Sequence, residues 1–192
     1  MTGTNVYYIR HGETAWSLTG QHTGTTDLPL TAHGEDQALA LAARLAGITF
    51  DHVLTSPRRR ARRTCELAGL AGAAQVEPGL AEWDYGDYEG LRSADIMQLR
   101  PGWEIYRDGC PQGETAEQIT TRADKLIARL RGMPGNVALF SHGHFGQVFV
   151  SRWIGWPVAA GRHFTLDTGS LGILGFKEGL PDLPVIRLWN SV

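Results

Sequence analysis

Two short apolar segments of the chain end in nearly the same polar sequence. Val6–Ile9 is followed by Arg10-His11-Gly12, and Val137–Phe140 is followed by Ser141-His142-Gly143. If both segments are strands of one open α/β sheet, their carboxyl ends meet where ligands of such sheets bind. An imidazole can act as a nucleophile, and a glycine lets backbone N–H groups approach a ligand closely. One strand-end histidine is more often satisfied by a backbone group, but the repeated pattern favours a functional site.

Five arginines lie within positions 58–63, directly after Ser56-Pro57. Three interpretations are open: a nucleic-acid-binding patch, a solvated helix face, or a helix with one arginine that points inward at a bound anion. The net charge of −2 and the absence of interleaved aromatic residues argue against nucleic acid. A guanidinium group binds phosphate through two parallel hydrogen bonds and keeps its charge. We therefore expect one inward arginine, and a solvated face for most of the others.

The segment Glu82–Gly90 carries four carboxylates among aromatic residues. Acidic loops are usually just solvated. Here, however, the aromatic side chains would exclude water, and a carboxyl group close to a bound phosphate is a suitable proton donor. This segment is therefore a second candidate part of a catalytic site.

Alternating strand and helix patterns predict an α/β protein, with a mostly parallel sheet covered on both faces, in a single domain over residues 1–192. Residues 10–30 are predicted to form a long loop. The predicted strands cover 6–9, 53–55, 137–140, 171–176 and 185–189, with a further short strand around Val76. The predicted helices cover 31–45, a segment opened by Ser56-Pro57 as N-cap and first residue, 93–100, 103–107, a segment opened by the capping box Thr115–Gln118, and a segment that ends at Trp153.

The cysteine content and the apolar segments indicate the cellular environment of the protein. Cys65 and Cys110 are the only cysteines, and they form neither a disulfide framework nor a CxxC metal motif. No apolar run is long enough to span a bilayer, and no signal peptide is recognisable. We expect a cytoplasmic protein that binds neither membranes nor nucleic acid. The sequence does not indicate an oligomeric state.

Four blocks in this order resemble the histidine phosphatase superfamily, also called the phosphoglycerate mutase-like family: Arg10–Thr14, Ser56–Thr64, Glu82 and Ser141–Gly143. The resemblance implies a three-layer α/β/α sandwich and a phosphatase that needs no cofactor or metal. The roles that it implies are a nucleophile at His11, a phosphoryl clamp made by Arg10, Arg60 and His142, and an acid/base at Glu82. We also expect Glu13 to hydrogen-bond His11 or a neighbouring group. A metal pair at His142 and His144 is less favoured, because residues two apart at a strand end generally point in different directions.

Longer stretches resemble sedoheptulose-1,7-bisphosphatase-like sugar phosphatases. They are Trp16-Ser17, Gly20–Gly24, Glu82–Gly90, Arg107–Cys110 and Gly113–Thr115. This resemblance implies that the partner is a small phosphorylated metabolite, such as a sugar phosphate or bisphosphate. The candidate substrate-binding residues are Ser17, Gln21, His22, Thr23, Trp83, Tyr85 and Gly143.

Two alternative functions remain open at this point. A phosphoglycerate mutase-type enzyme would return the phosphoryl group to an isomeric hydroxyl, although such enzymes usually carry Asn where this chain has Ser17. A non-catalytic member of the family would only bind a phosphorylated ligand. Release of phosphate, isomerisation of phosphoglycerate, and inactivity on a broad panel of phosphoesters distinguish the three functions.

Overall fold

A central sheet of six strands organises residues 3–192, which are the residues that this computed structural model describes. In chain order the strands are β1 (Thr4–Arg10), β2 (His52–Thr55), β3 (Ala74–Val76), β4 (Gly135–Ser141), β5 (Leu171–Lys177) and β6 (Leu180–Ser191). Their order across the sheet is β3-β2-β4-β1-β5-β6. Strands β1 to β4 are parallel to one another, while β5 pairs antiparallel with β1 and β6 pairs antiparallel with β5 at one edge. The predicted mostly parallel sheet is confirmed.

Helices cover both faces of this sheet. They are α1 (Ala15–Thr19), α2 (Ala32–Leu45), α3 (Arg59–Leu67), α4 (Ser93–Leu99), α5 (Ile105–Asp108), α6 (Ala116–Arg131) and α7 (Gly143–Trp153). Four short 3₁₀ segments occupy Ala71–Ala73, Pro78–Leu80, Gly86–Tyr88 and Val158–His163. Within residues 3–192, no helix combines the length and the apolar character required to cross a bilayer.

The period-two alternation of the strands divides the core into two clusters. Along β1, Val6 and Tyr8 pack in the cluster that includes residues of α6 and α7, while Ile9 packs in the cluster that includes residues of α2 and α3. Along β4, Leu139 and Phe140 divide between the two clusters in the same way. Because consecutive side chains of a strand point to opposite faces, a fully apolar run requires a cover on both sides. The helices provide this cover, which gives the predicted three-layer arrangement.

Strand pairing brings the two polar motifs together. β1 and β4 are adjacent and in register, so that Arg10 lies beside Ser141. The next residue continues this contact, because the His11 N–H donates to the carbonyl oxygen of Ser141 at 3.0 Å. The ends of both strands therefore present His11 and His142 at one edge of the sheet.

Two local predictions differ from the structure. The predicted loop 10–30 contains the short helix α1, which Thr14 caps by accepting from the N–H of Ser17. Helix α3 begins at Arg59 and not at Pro57, and its N-cap is Arg58, while the Ser56 hydroxyl contacts the ring of His142 at 2.7 Å. In contrast, Thr31 caps α2 as predicted.

A close backbone contact fixes the segment after β1 against the first turn of α2. A Cβ atom added at Gly12 would overlap the carbonyl oxygen of Gly34, and one added at Gly34 would overlap the carbonyl oxygen of Glu13. The N–H of Thr31 also donates to the Glu13 carbonyl oxygen at 2.9 Å. Only glycine permits backbones to approach this closely, so this pair of glycines holds His11 in place.

We expect Gly34→Ala to lower the free energy of unfolding by about 1–3 kcal/mol, because its methyl group must displace backbone atoms. Alanine normally stabilises a helix, so a loss would show that the overlap dominates. Gly72→Ala is the matched control, because it places a methyl group in open space and should change the stability by less than about 0.5 kcal/mol. Urea denaturation measures both variants. Equal stabilities would contradict the close contact.

Candidate active site

A cleft of about 220 Å³ opens where β1 and β4 end. Arg10, His11 and Glu82 line it, so three of the five predicted catalytic residues face one space. Arg60 and His142 are fully buried and do not line the cleft. The rings of His11 and His142 lie 5.2 Å apart in an edge-on arrangement. The structure therefore brings the strand-end histidines together, as their motifs predicted.

The orientation of the His11 ring defines which nitrogen can react. Its Nδ1 lies 2.7 Å from the carbonyl oxygen of Gly12. A carbonyl oxygen only accepts hydrogen bonds, so Nδ1 carries the proton and Nε2 carries the free lone pair. Burial, together with the charges of Arg60 and Arg10, holds the pKa of His11 well below its usual 6.5. The imidazole is therefore neutral and nucleophilic near pH 7.

His142 adopts the opposite tautomer. Its Nε2 lies 2.7 Å from the hydroxyl of Ser56, and this hydroxyl accepts from the N–H of Arg58 at 3.3 Å. This ring nitrogen is the only acceptor for the Ser56 hydroxyl within residues 3–192, so the hydroxyl hydrogen points at Nε2 and the proton of the neutral His142 ring lies on Nδ1. One imidazole of the site thus offers a lone pair, while the other offers a hydrogen-bond donor.

Buried N–H donors without a protein partner surround the two rings. Within residues 3–192, five buried side-chain polar atoms have no hydrogen-bond partner, and four are donors: Nε of Arg10, Arg58 and Arg60, and Nδ1 of His142. Burial lowers the pKa of His142, and the charges of the same three arginines lower it further, so these charges act at one place. An unsatisfied buried polar group costs about 1–3 kcal/mol. A phosphoryl group would satisfy such donors, and this arrangement is suited to an anion.

Arg60 also holds the loop that borders the cleft. Its terminal nitrogens donate to the carbonyl oxygens of Thr23 at 2.7 Å, Gly24 at 3.3 Å and Thr26 at 3.0 Å. Only its Nε lacks a partner in the protein. The planar guanidinium therefore fixes the loop and leaves its Nε–H for a ligand.

The other arginines of positions 58–63 differ in location: some lie on the surface, and one lies at the site. Arg59 and Arg62 are exposed, and Arg63 forms ion pairs with Glu35 and Glu66. These three positions have the solvated face that was expected for most of the run. Arg58 differs, since its Nε is buried and its charge acts on His142. The sequence did not distinguish Arg58 from its neighbours.

Glu82 is held by backbone N–H groups from two segments. One carboxylate oxygen accepts from Trp83 at 2.9 Å and from Phe145 at 2.7 Å, and the other accepts from His144 at 3.1 Å. Two of these donors belong to the first turn of α7, whose N–H groups have no partner inside the helix. The side chain of Arg122 supports the segment by donating to the carbonyl oxygens of Ala81 and Glu82. The carboxylate therefore has a fixed position at the cleft.

Most of the predicted substrate-binding residues line the cleft: Ser17, Gln21, His22, Thr23, Tyr85 and Gly143. Trp83 does not. Its ring is fully buried, it lies edge-on to Tyr106 at 5.9 Å, and its indole N–H donates to the carbonyl oxygen of Glu114 at 2.9 Å. The Trp83 side chain packs in the core while Glu82 and Tyr85 line the cleft, so its prediction as a wall residue needs this correction.

Two further residues, Glu13 and His144, have contacts near the two rings. Glu13 accepts from the Thr31 hydroxyl at 2.7 Å, and His11 uses the Gly12 carbonyl oxygen instead. His144 lines the cleft, and its Nδ1 lies 2.7 Å from the Tyr85 hydroxyl. Its position in the first turn of the helix after Ser141-His142-Gly143 was the only sequence signal for this role.

Comparisons with known proteins agree with this geometry. A profile of the Histidine phosphatase superfamily (branch 1) matches residues 6–191. An acid phosphatase from Mycobacterium tuberculosis is 44% identical over 184 residues, which cover 94% of this chain and 90% of that protein. A sedoheptulose 1,7-bisphosphatase from Saccharomyces cerevisiae is 32% identical over 244 residues, with coverage of 94% and 90%. A solved structure from Mycobacterium tuberculosis superposes with a TM-score of 0.89 at 41% identity and covers 98% of this chain and 99% of that one.

The fold, the anion-binding cluster and these phosphatase relatives define a phosphoric monoester hydrolase. The chain belongs to the histidine phosphatase superfamily, over nearly its whole length. The predicted family and its phosphoglycerate mutase-like fold are thereby confirmed.

We expect Ser56→Ala to lower kcat/KM for p-nitrophenyl phosphate by about 10- to 100-fold, which corresponds to one unsatisfied buried group of about 1–3 kcal/mol. Without the hydroxyl, the His142 proton can move to Nε2 and the Nδ1 donor is lost. Nitrogen NMR of the imidazole measures the tautomer, and Ser56→Thr should restore both the tautomer and the rate. An alanine variant with wild-type kinetics would contradict the assigned role.

Proposed function

We propose that this enzyme hydrolyses phosphomonoesters of small metabolites, chiefly phosphorylated sugars, through a phosphohistidine intermediate at His11. The observation that carries this proposal is the fixed, neutral His11 ring, with Nδ1 bonded to Gly12 and Nε2 free beside unpartnered cationic donors. Such a nitrogen is an activated nucleophile for phosphorus.

In the first step, Nε2 of His11 attacks the phosphorus atom in line with the leaving oxygen. The new N–P bond forms while the P–O bond to the alcohol breaks. Arg10, Arg60 and His142 donate to the phosphoryl oxygens and stabilise the charge that develops on them. The protonated carboxyl group of Glu82 donates its proton to the leaving alkoxide, and the alcohol departs.

In the second step, water takes the place of the alcohol. The Glu82 carboxylate accepts a proton from this water as its oxygen attacks phosphorus. The N–P bond breaks, inorganic phosphate leaves, and His11 returns to its neutral form while Glu82 is again protonated. Each residue therefore ends the cycle in the state in which it began.

Polar groups on the cleft wall support a sugar as the leaving alcohol. Ser17, Gln21, Thr23 and Ser93 contribute hydroxyl and amide groups, while Tyr85 adds an aromatic ring. Sugars bind to such mixed surfaces through their hydroxyls and C–H faces. The names of the yeast and mycobacterial relatives agree with phosphate ester hydrolysis.

We expect His11→Ala to abolish phosphate release and the acid-labile, alkali-stable labelling that marks phosphohistidine, because no other group supplies the nucleophile. His33→Ala changes an exposed imidazole and serves as the matched control. Phosphate release from a panel of sugar phosphates and ³¹P NMR of the quenched protein provide the measurements. Labelling that persists in the His11 variant, or isomerisation of phosphoglycerate without phosphate release, would refute the proposal.

Excess chelator tests the predicted independence from metal in the same assay. No group of three or more histidine, cysteine or acidic side chains within residues 3–192 is arranged to hold a metal ion. We expect an unchanged rate, because arginines supply the positive charge that Mg²⁺ supplies in other phosphoryl transferases. A rate that collapses with chelator would mean that a metal takes part.

We expect Glu82→Gln to slow hydrolysis of sugar phosphates about 100-fold or more, because an amide can neither protonate the alkoxide nor activate water. A substrate with a good leaving group, such as p-nitrophenyl phosphate, should still label His11, so that phosphoenzyme accumulates in a quenched reaction. Glu66→Gln makes the same chemical change on the surface of α3 and is the control. Normal turnover of sugar phosphates by the Glu82 variant would exclude this acid/base role.

A further inference from the structure

The distribution of charge in the cleft is strongly uneven. Among the lining residues within 3–192, Arg10 is the only arginine or lysine, and Glu82 is the only carboxylate. Arg58 and Arg60 act on His142 but do not line the cleft. The fixed positive charge is thus concentrated around His11, where the reacting phosphate binds, and the wall beyond it has none.

Two histidines on this wall do not supply the missing charge. His22 is buried and His144 is half-buried, and the loss of hydration is the main cause that lowers the pKa of each to about 4. The hydroxyl of Tyr85 keeps its proton, because burial raises its pKa well above the usual value. At neutral pH these three side chains are therefore uncharged.

Hydrogen bonds and stacking hold the uncharged wall rigid. Nδ1 of His144, at 2.7 Å, is the only acceptor for the Tyr85 hydroxyl within residues 3–192, so the hydroxyl donates to it and the ring proton of His144 lies on Nε2. Tyr85 stacks on His22 with ring centroids 4.6 Å apart, and Trp103 packs edge-on against His22 at 5.9 Å. Gln147 is held between the Tyr106 hydroxyl and the Phe164 carbonyl oxygen.

We propose, resting on the proposed function, that the preferred substrate is a sugar monophosphate whose remaining part carries hydroxyl groups and neither a second phosphate nor a carboxylate. A second anion on this wall would lose hydration without gaining a cation, and Glu82 would repel it. Hydroxyl groups, in contrast, match the neutral donors and acceptors of His144, Gln21 and Ser93.

Fructose phosphates provide a matched test. We expect kcat/KM for fructose 6-phosphate or fructose 1-phosphate to exceed that for fructose 1,6-bisphosphate at the same phosphate by about tenfold or more, which is 1.4 kcal/mol. ³¹P NMR identifies which phosphate leaves, and 3-phosphoglycerate, with its carboxylate, should be as poor as the bisphosphate. A bisphosphate that is hydrolysed as efficiently as the monophosphates would overturn the inference and leave the phosphohistidine mechanism intact.

A charge added to the wall tests the same inference from the protein side. Gln21 lines the cleft and is half-buried. Gln21→Lys should raise the ratio of bisphosphate to monophosphate kcat/KM about tenfold, whereas Gln21→Met, similar in size and uncharged, should change both substrates by the same factor. An unchanged ratio in the lysine variant would overturn the inference. If no phosphomonoester releases phosphate and His11 is never labelled, the proposed function is wrong. The inference about the preferred substrate is then wrong as well.

Discussion

The site depends on arginines that lie beside imidazoles and form no ion pair within residues 3–192. Burial, and then the charges of Arg60 and Arg10, lower the pKa of His11. The ring consequently keeps the lone pair that chemistry requires. A bound phosphoryl group would stabilise these cations, because its negatively charged oxygens accept from donors that have no other partner. The unpaired donors destabilise the free protein. In return, the groups that stabilise the transition state are already in position when the reaction begins.

The surrounding fold holds the charged and imidazole side chains of the site in place through contacts with the backbone. Pairing of β1 with β4 sets the spacing of the two rings, and contact between Gly12 and Gly34 prevents the His11 segment from relaxing. Carbonyl oxygens around Arg60 and amide groups around Glu82 orient the charged side chains. Because backbone groups are hard to move, the site is preorganised, and few of its contacts depend on flexible side chains.

Sequence patterns predicted the sheet and the meeting of its two motifs, since both follow from apolar runs and from the common edge of parallel strands. The individual hydrogen bonds could not be predicted in this way. Ser56 had the form of a helix cap, but its hydroxyl serves His142 in the structure. Arg58 was indistinguishable from its exposed neighbours, and Trp83 from the residues beside it that face the cleft. In each case the outcome depends on the direction of one side chain, which three-dimensional packing decides.

The four imidazoles of the site also make the folded protein sensitive to acid. His11, His22, His142 and His144 all have a pKa below the 6.5 of an unfolded chain, and for His22 and His144 the pKa is about 4. As the pH falls from 6.5 toward 4, the unfolded chain takes up protons that the folded chain does not. The free energy of unfolding then decreases by about 1.4 kcal/mol per pH unit for each such imidazole. The same rings that serve the catalytic centre therefore make the folded enzyme less stable in acid.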